Sequence, residues 1–200
     1  IYIFDMTITT EQVKELRDKT GISIMQCKKA LEDAGGDAEK ALVILKKKGA
    51  EIAGKKGDRT LGAGVVASYI HSTGSVGALV ELWCETDFVA KNEEFKALAK
   101  DIAMQIVATN PEFKSATDIA PEAREKAKEV FQKEVEGKPE NMKEQILEGK
   151  LVAYFKDKVL LEQDYIKDGS QTIASKIDSA IQKFGEKVEI GKFSRFSTGS

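Results

Sequence analysis

The sequence predicts an α+β protein in which a small three-helix module precedes an antiparallel sheet packed with helices. Three observations support this fold class. Residues 9–49 contain three amphipathic segments, each preceded by a residue that caps helices well. Residues 65–84 contain two runs of strand-forming residues around a short gap with a glycine. From residue 92 onward, apolar side chains recur mainly at helical spacing.

The N-terminal module is predicted to consist of three short helices that end near residue 49. Thr9 with Gln12 and Ser23 with Gln26 have the spacing of capping boxes, and Asp37 can cap the third helix. The apolar residues predicted to face inward are Val13, Leu16, Ile24, Cys27, Leu31, Ala34, Ala41, Leu42 and Leu45. A bundle of about forty residues is near the lower size limit for independent folding, which favours a role in contacting a partner.

The rest of the chain is predicted to form a core domain. Its first elements are a β-hairpin and a helix over 92–109 that Asn92 can cap. Two helices with narrow apolar seams follow and predict a projecting antiparallel hairpin at about 121–156. The remaining predictions are a short strand at 159–161, a helix at 170–184 and a terminal strand at 187–196.

These elements suggest two domains. We place the module at residues 7–50, a linker rich in glycine and lysine at 51–62, and the core domain at 63–200. Met6 is a natural start, so Ile1–Asp5 and the final Ser197–Ser200 are interpreted as additions to the natural chain.

Composition limits the class of protein. No run approaches the roughly 20 apolar residues that a membrane helix needs, and no signal peptide is recognisable. Cys27 and Cys84 lie in apolar settings in separate segments, which favours buried, reduced thiols and a cytoplasmic location. The net charge of −2 gives no general attraction to nucleic acid, although residues 46–59 are locally basic.

The sequence offers no catalytic or metal-binding constellation. His71 is the single histidine, and with two distant cysteines it cannot complete a zinc site. The stretch Gly49–Lys56 has the G-x-x-x-x-G-K spacing of a phosphate loop, but Lys56 replaces the hydroxyl residue that would bind Mg²⁺. We therefore expect a protein that is not an enzyme and that has no cofactor or metal of its own.

The connection between the second strand and the helix at 92–109 is the strongest candidate site. The buried strand stops at polar residues, and Phe88 follows an acidic residue, Asp87, on a short connection. A large apolar side chain presented from such a turn can anchor a partner. The alternative interpretation is that Phe88 folds back under the following helix.

Three segments resemble the translation elongation factor Ts family. Leu16–Leu31 is similar to the family run L-R-x-x-T-G-x-x-x-M-x-C-K-K-A-L, and Glu81–Asn92 resembles V-N-C-E/Q-T-D-F-V-A. A weaker similarity covers Phe184–Val188 and Phe193–Phe196. The departures from the family pattern are Trp83 in place of Asn, Gln26 in place of Asp, and Lys187 in place of Asn.

The resemblance implies a guanine nucleotide exchange factor for elongation factor Tu. By the same resemblance, Thr86, Asp87, Phe88 and Val89 would displace Mg²⁺ from the GTPase, with Phe88 in an apolar slot and Asp87 beside the ion. GDP would then be released, and the nucleotide-free GTPase would be the form bound most tightly.

The resemblance also implies further contacts. Arg17, Ile24 and Met25 would bind the nucleotide domain of the GTPase, while the core domain and the helical hairpin would bind a second domain. Because the core subdomain is present once, as in short members of the family, a homodimer is implied. No direct contact with nucleic acid or membrane is expected.

Two alternatives remain open at the level of sequence. One is a non-exchanging binding or scaffold protein, in which the helical module is of the ubiquitin-associated type. The other is a nucleic-acid binder that uses the basic stretch 46–59, although that stretch lacks interleaved aromatic residues.

Overall fold

The structure is a computed structural model that describes residues 8–137 and 139–199. It confirms the α+β class: over these residues, eight α-helices accompany a three-stranded and a two-stranded sheet. The predicted N-terminal addition, Ile1–Asp5, lies outside the described residues. The chain divides into two compact units. The first comprises the residues up to Val65, Leu82–Ala97 and Ser175–Gly191, and the second comprises Val66–Glu81, Leu98–Ala174 and the residues from Lys192 onward.

The three predicted N-terminal helices are present as α1 (Thr10–Thr20), α2 (Ile24–Asp33) and α3 (Ala38–Lys55). The capping box at the start of α1 is confirmed. The Gln12 backbone N–H donates to the Thr9 hydroxyl at 3.2 Å, and the Thr9 N–H donates to the Gln12 side chain at 2.9 Å. The buried cluster between the helices consists of Val13, Leu16, Ile22, Cys27, Ala30, Leu31, Ala41 and Leu45.

Two expectations for this module are wrong. Ile24 is not a core residue, because 55% of it is exposed and Ile22 is buried instead. The third helix does not end near Gly49 but continues to Lys55, into the predicted linker. Gly49 is buried in α3, where an added Cβ would lie 3.2 Å from the Gln182 Oε1 and 3.4 Å from the Asp178 carbonyl oxygen. This glycine therefore allows close packing and does not stop the helix.

The main sheet has the strand order β1 (Ala63–Ile70), β2 (Val76–Cys84) and β5 (Glu189–Ser197). The first two strands form the predicted hairpin. In β1 every second residue is exposed, and in β2 Ala78, Val80, Leu82 and Cys84 are buried. One face of the sheet is thus covered while the other faces solvent.

Beyond β2 lie two consecutive helices, α4 (Asp87–Ala90) and α5 (Glu93–Thr109). The one-turn helix α4 was not predicted. Asn92 caps α5 as expected, because its side-chain oxygen accepts the Glu94 N–H at 2.8 Å. Thus the strand-to-helix connection contains a helical turn of its own.

The two helices of the predicted hairpin are α6 (Pro121–Val135) and α7 (Glu140–Lys156), which pack against each other. Ala127 of α6 and Leu151 and Phe155 of α7 form a buried cluster with Val159. The partly buried residues packed against it are Phe113, Ile119, Phe131 and Leu147.

The segment after α7 differs from prediction. The expected strand at 159–161 is absent. Val159 makes only an isolated bridge with Phe113, and a 3-10 turn follows at Leu160–Glu162. A small hairpin of β3 (Asp164–Tyr165) and β4 (Asp168–Thr172) comes next, so α8 begins at Ile173 and ends at Phe184. No helix within the described residues is long and apolar enough to cross a membrane.

Candidate partner-binding site

The connection after β2 is a single helical turn with a defined entry. Thr86 is the N-cap of α4 and has an extended backbone, with φ −128° and ψ 155°. Its carbonyl oxygen accepts the Ala90 N–H at 3.1 Å, and the Asp87 carbonyl accepts the Lys91 N–H at 3.0 Å. We call Thr86–Ala90 the tip.

Neighbouring side chains of the tip differ greatly in their exposure to solvent. Phe88 is 83% exposed, whereas the next residue, Val89, is only 4% exposed. The alternative in which Phe88 folds under the following helix is therefore wrong. The buried aromatic residue of this region is Phe95, which packs edge-on against Phe184 with ring centroids 5.9 Å apart. The tip therefore presents a large apolar ring to solvent while the adjacent Val89 is buried.

Asp87 presents an acid next to this aromatic residue. Its carboxylate lies 3.1 Å from the Lys91 Nζ, one helical turn later, and 79% of the Asp87 side chain is exposed. Such solvent-exposed ion pairs contribute little free energy. The Asp87 carboxylate is thus available to a partner at little cost.

A second segment, distant in sequence, supports the tip. The Glu186 carboxylate accepts the Glu85 N–H at 3.1 Å, the Thr86 N–H at 3.0 Å and the Thr86 hydroxyl at 2.6 Å. In return, the Glu85 carboxylate accepts the Lys187 N–H at 2.5 Å. Glu186 lies in the segment Phe184–Val188, whose sequence resembles the family but does not by itself predict these contacts.

The charges around Glu85 favour its ionised form. The Lys187 N–H bond is the main cause that lowers the pKa of Glu85, and the Arg59 guanidinium, 3.1 Å away, adds to it. Burial, and secondarily the charge of Glu186, raises the pKa of the Cys84 thiol. The hydrogen bonds at the base of the tip thus favour the carboxylate form of Glu85, whereas burial favours the protonated thiol of Cys84.

The turn between α1 and α2 carries the second set of predicted site residues. Arg17 lies in the last turn of α1, and Ile24 and Met25 lie in the first turn of α2. All three are exposed, Met25 to 82%. The turn is fixed by Gly21, which has φ 67° and donates its N–H to the Arg17 carbonyl at 2.7 Å.

Helix α8 links this turn to the beginning of α5 within the first unit. The Gln182 side chain donates to Gln26 on α2 at 2.5 Å. Lys183 lies 2.8 Å from the position of a Cβ on Gly21, and its Nζ is 2.6 Å from Glu94. The two sets of predicted site residues belong to the same compact unit.

The site has the chemistry of a protein-binding surface. In the part of the chain that the structure describes, no three His, Cys, Asp or Glu side chains are grouped as metal ligands. What the tip offers is an exposed aromatic ring, an exposed carboxylate and a supported backbone turn. Such groups can fill an apolar slot and compete for a cation, but they supply no nucleophile.

Comparisons with known proteins all indicate the same family. The family model described as Elongation factor TS matches residues 9–200. The chain is 48% identical to the elongation factor Ts of Desulforamulus reducens over 96% of this chain and 89% of that protein. It is also 48% identical to that of Thermodesulfovibrio yellowstonii, over 97% and 98% of the two chains. The identity to that of Thermotoga petrophila is 45%, over 97% and 98%.

Proposed function

Because the chain belongs to the elongation factor Ts family of translation elongation factors, we propose that it promotes GDP release from elongation factor Tu. The observation that carries the proposal is the exposed Phe88 on a tip whose neighbouring residues are buried or hydrogen-bonded. An apolar ring of this size gains roughly 1.5–3 kcal/mol when it is buried. That gain is available only when a partner covers the ring.

The tip acts as a wedge in this proposal. Phe88 enters an apolar slot between helices of the GTPase, and Asp87 approaches the Mg²⁺ site beside it. The buried Val89 and the capping Thr86 keep the helical turn in shape. Mg²⁺ would compensate the negative charge of the GDP phosphates, so its displacement would weaken the binding of GDP.

The energetics require no chemical step by the factor. A protein that binds the nucleotide-free GTPase more tightly than the GDP form must weaken GDP binding by the same ratio. Each tenfold ratio corresponds to about 1.4 kcal/mol of coupling free energy. In this proposal the protein is an exchange factor that has no cofactor of its own and acts in the cytoplasm.

The N-terminal module holds the factor on the GTPase. Arg17, Ile24 and Met25 provide a charged and apolar surface that lies outside the module's own core. The core domain and helical hairpin bind a second domain of the GTPase. We retain the division into module (7–50), linker (51–62) and core domain (63–200) as part of this proposal, without direct contacts to nucleic acid or membrane.

We also propose a homodimer joined through the solvent-facing side of the sheet. Val66 and Ile70 on β1, Leu79 on β2 and Phe196 on β5 are exposed apolar residues. Three of them, Ile70, Leu79 and Phe196, line a cavity of about 460 Å³. A second copy of the chain offers the same apolar face and would cover it.

Stopped-flow release of fluorescent GDP from elongation factor Tu tests the exchange function. We expect saturating factor to raise the release rate at least about tenfold, and added Mg²⁺ to oppose the effect. The alternative, a non-exchanging binding or scaffold protein, predicts binding with an unchanged release rate. That result would contradict the proposal.

A further inference from the structure

We propose that Glu186 is the positioning residue that holds the tip in the conformation that presents Phe88. This inference rests on the proposed exchange function, and it adds a residue about 100 positions away from the tip to the machinery. It starts from the three hydrogen bonds that the Glu186 carboxylate accepts from Glu85 and Thr86.

The three hydrogen bonds hold the two residues through which the chain enters α4. Both backbone donors immediately precede α4, and Thr86 is its N-cap. One carboxylate oxygen accepts both N–H groups, and the other accepts the Thr86 hydroxyl. Together they fix the backbone of the two residues through which the chain enters the helical turn.

A helical turn of four residues cannot hold its own shape. Helix nucleation is unfavourable, and α4 is closed by only a few backbone bonds. Its far end is anchored by the burial of Val89 and Ala90. At its near end Thr86 and Asp87 are exposed, and the thiol of the buried Cys84 donates to the Thr86 carbonyl at 3.3 Å. Glu186 holds the other polar groups of Thr86, its N–H and its hydroxyl.

The loop that carries Glu186 is itself well fixed. Gly185 has φ 70°, a conformation that favours glycine, and its carbonyl accepts the Lys56 Nζ at 2.5 Å. On the other side, the Lys187 Nζ donates to the Gly57 carbonyl at 2.7 Å. The loop that carries the carboxylate is thus held by bonds to Lys56 and Gly57 in addition to the Lys187 N–H bond to Glu85.

The chemistry of the Glu186 side chain matters because Glu85 and Thr86 together offer three donors. A carboxylate accepts all three without a donor of its own. A glutamine keeps one oxygen for the two N–H groups, and its amide can donate to the Thr86 hydroxyl. An alanine leaves the three donors without this partner. The expected order of function is therefore glutamate, then glutamine, then alanine.

The test separates the maximal rate of GDP release from the concentration of factor that gives half of it. For Glu186→Ala, we expect a maximal rate lower by about tenfold and a half-saturating concentration within about threefold of wild type, because the binding surfaces remain. Glu186→Gln should restore the maximal rate to within about threefold. The charge control is Glu93→Ala, which removes an exposed acid just after the tip and should match wild type.

A double-mutant cycle asks whether Glu186 acts through Phe88. If it does, adding Glu186→Ala to Phe88→Ala should change the maximal rate by less than about twofold. Hydrogen exchange provides a readout independent of activity: the Glu85 and Thr86 amides should exchange at least about tenfold faster in Glu186→Ala.

The outcomes separate this inference from the proposed function. If wild type and Phe88→Ala accelerate GDP release from elongation factor Tu equally well, the exchange mechanism is wrong. The positioning role of Glu186 is then wrong as well. If Phe88→Ala is impaired but Glu186→Ala has the wild-type maximal rate, or its two amides exchange as in wild type, only the positioning role is overturned.

Discussion

The carboxylates of Glu85 and Glu186 each accept a backbone N–H from the other's chain segment. Glu186 accepts the N–H of Glu85 itself at 3.1 Å, and Glu85 accepts the N–H of Lys187, which follows Glu186, at 2.5 Å. This reciprocal pairing joins the base of the tip to the segment before β5. Arg59 compensates part of the negative charge through its contact with Glu85.

This pairing predicts a pH-dependent contribution to stability. The pKa of Glu85 is below its ordinary value of 4.5, chiefly through the Lys187 N–H bond. A lowered pKa stabilises the folded state above the unfolded-state value, and this stabilisation is lost as the pH falls through the folded-state value. We expect Glu85→Gln to have a lower free energy of unfolding than wild type at pH 7, with a smaller difference below about pH 4.

Urea unfolding of wild type and Glu85→Gln at a series of pH values measures this difference. Glu129→Gln, which changes an exposed acid in the second unit, controls for general charge effects. A Glu85→Gln difference that stays constant from pH 7 to about pH 3.5 would contradict the assignment.

Two glycines of α3 provide a matched test of packing. A Cβ added at Gly54 meets no atom within 4 Å, so Gly54→Leu should raise the free energy of unfolding by about 0.5–1 kcal/mol through helix propensity. At Gly49 the added Cβ is crowded by Gln182 and Asp178. Gly49→Leu should therefore destabilise the protein by about 1–3 kcal/mol. Equal effects of Leu at both positions in urea unfolding would show that α8 does not pack closely against Gly49.

The surface at the α1–α2 turn should control affinity. Met25→Ala should raise the half-saturating concentration in the GDP-release assay by about tenfold and leave the maximal rate within about twofold of wild type. Val43→Ala, an exposed apolar change on α3, is the control and should have little effect. A Met25→Ala variant with wild-type half-saturation would remove this residue from the binding surface.

The sheet face should control the oligomeric state. Leu79→Lys places a charge on the apolar face, so we expect sedimentation equilibrium to show a dimer for wild type and a monomer for this variant. Val130→Lys, a similar change on the exposed side of α6, should remain a dimer. A monomeric wild type, or a dimeric Leu79→Lys variant, would contradict the proposed interface.

The sequence predicts local features better than contacts between distant segments. The capping box at Thr9 and the cap at Asn92 depend on neighbouring residues and are correct. The predicted end of the third helix near residue 49 is wrong, and the residues of α8 that pack against Gly49 lie more than 120 positions away in the sequence. Similarly, nothing near Thr86 in the sequence indicates that Glu186 binds it.

The orientation of Phe88 in the candidate site also cannot be predicted from the sequence alone. Spacing alone left the direction of Phe88 undecided, since an aromatic residue after a strand can pack inward or face solvent. The decision comes from its neighbours: Val89 and Ala90 occupy the interior positions of the turn, so Phe88 faces outward. The small hairpin β3–β4 was missed because Asp168–Thr172 contains few strand-forming residues.

The central claim is that the exposed ring of Phe88 drives nucleotide release. The most direct measurement is the maximal rate of GDP release from elongation factor Tu, compared between wild type, Phe88→Ala and Asp87→Ala. Because Phe88 is exposed, we predict a rate at least about tenfold lower and a free energy of unfolding within about 0.5 kcal/mol of wild type. The claim would be contradicted if a folded Phe88→Ala variant gave a maximal rate of GDP release from elongation factor Tu within about twofold of the wild-type rate.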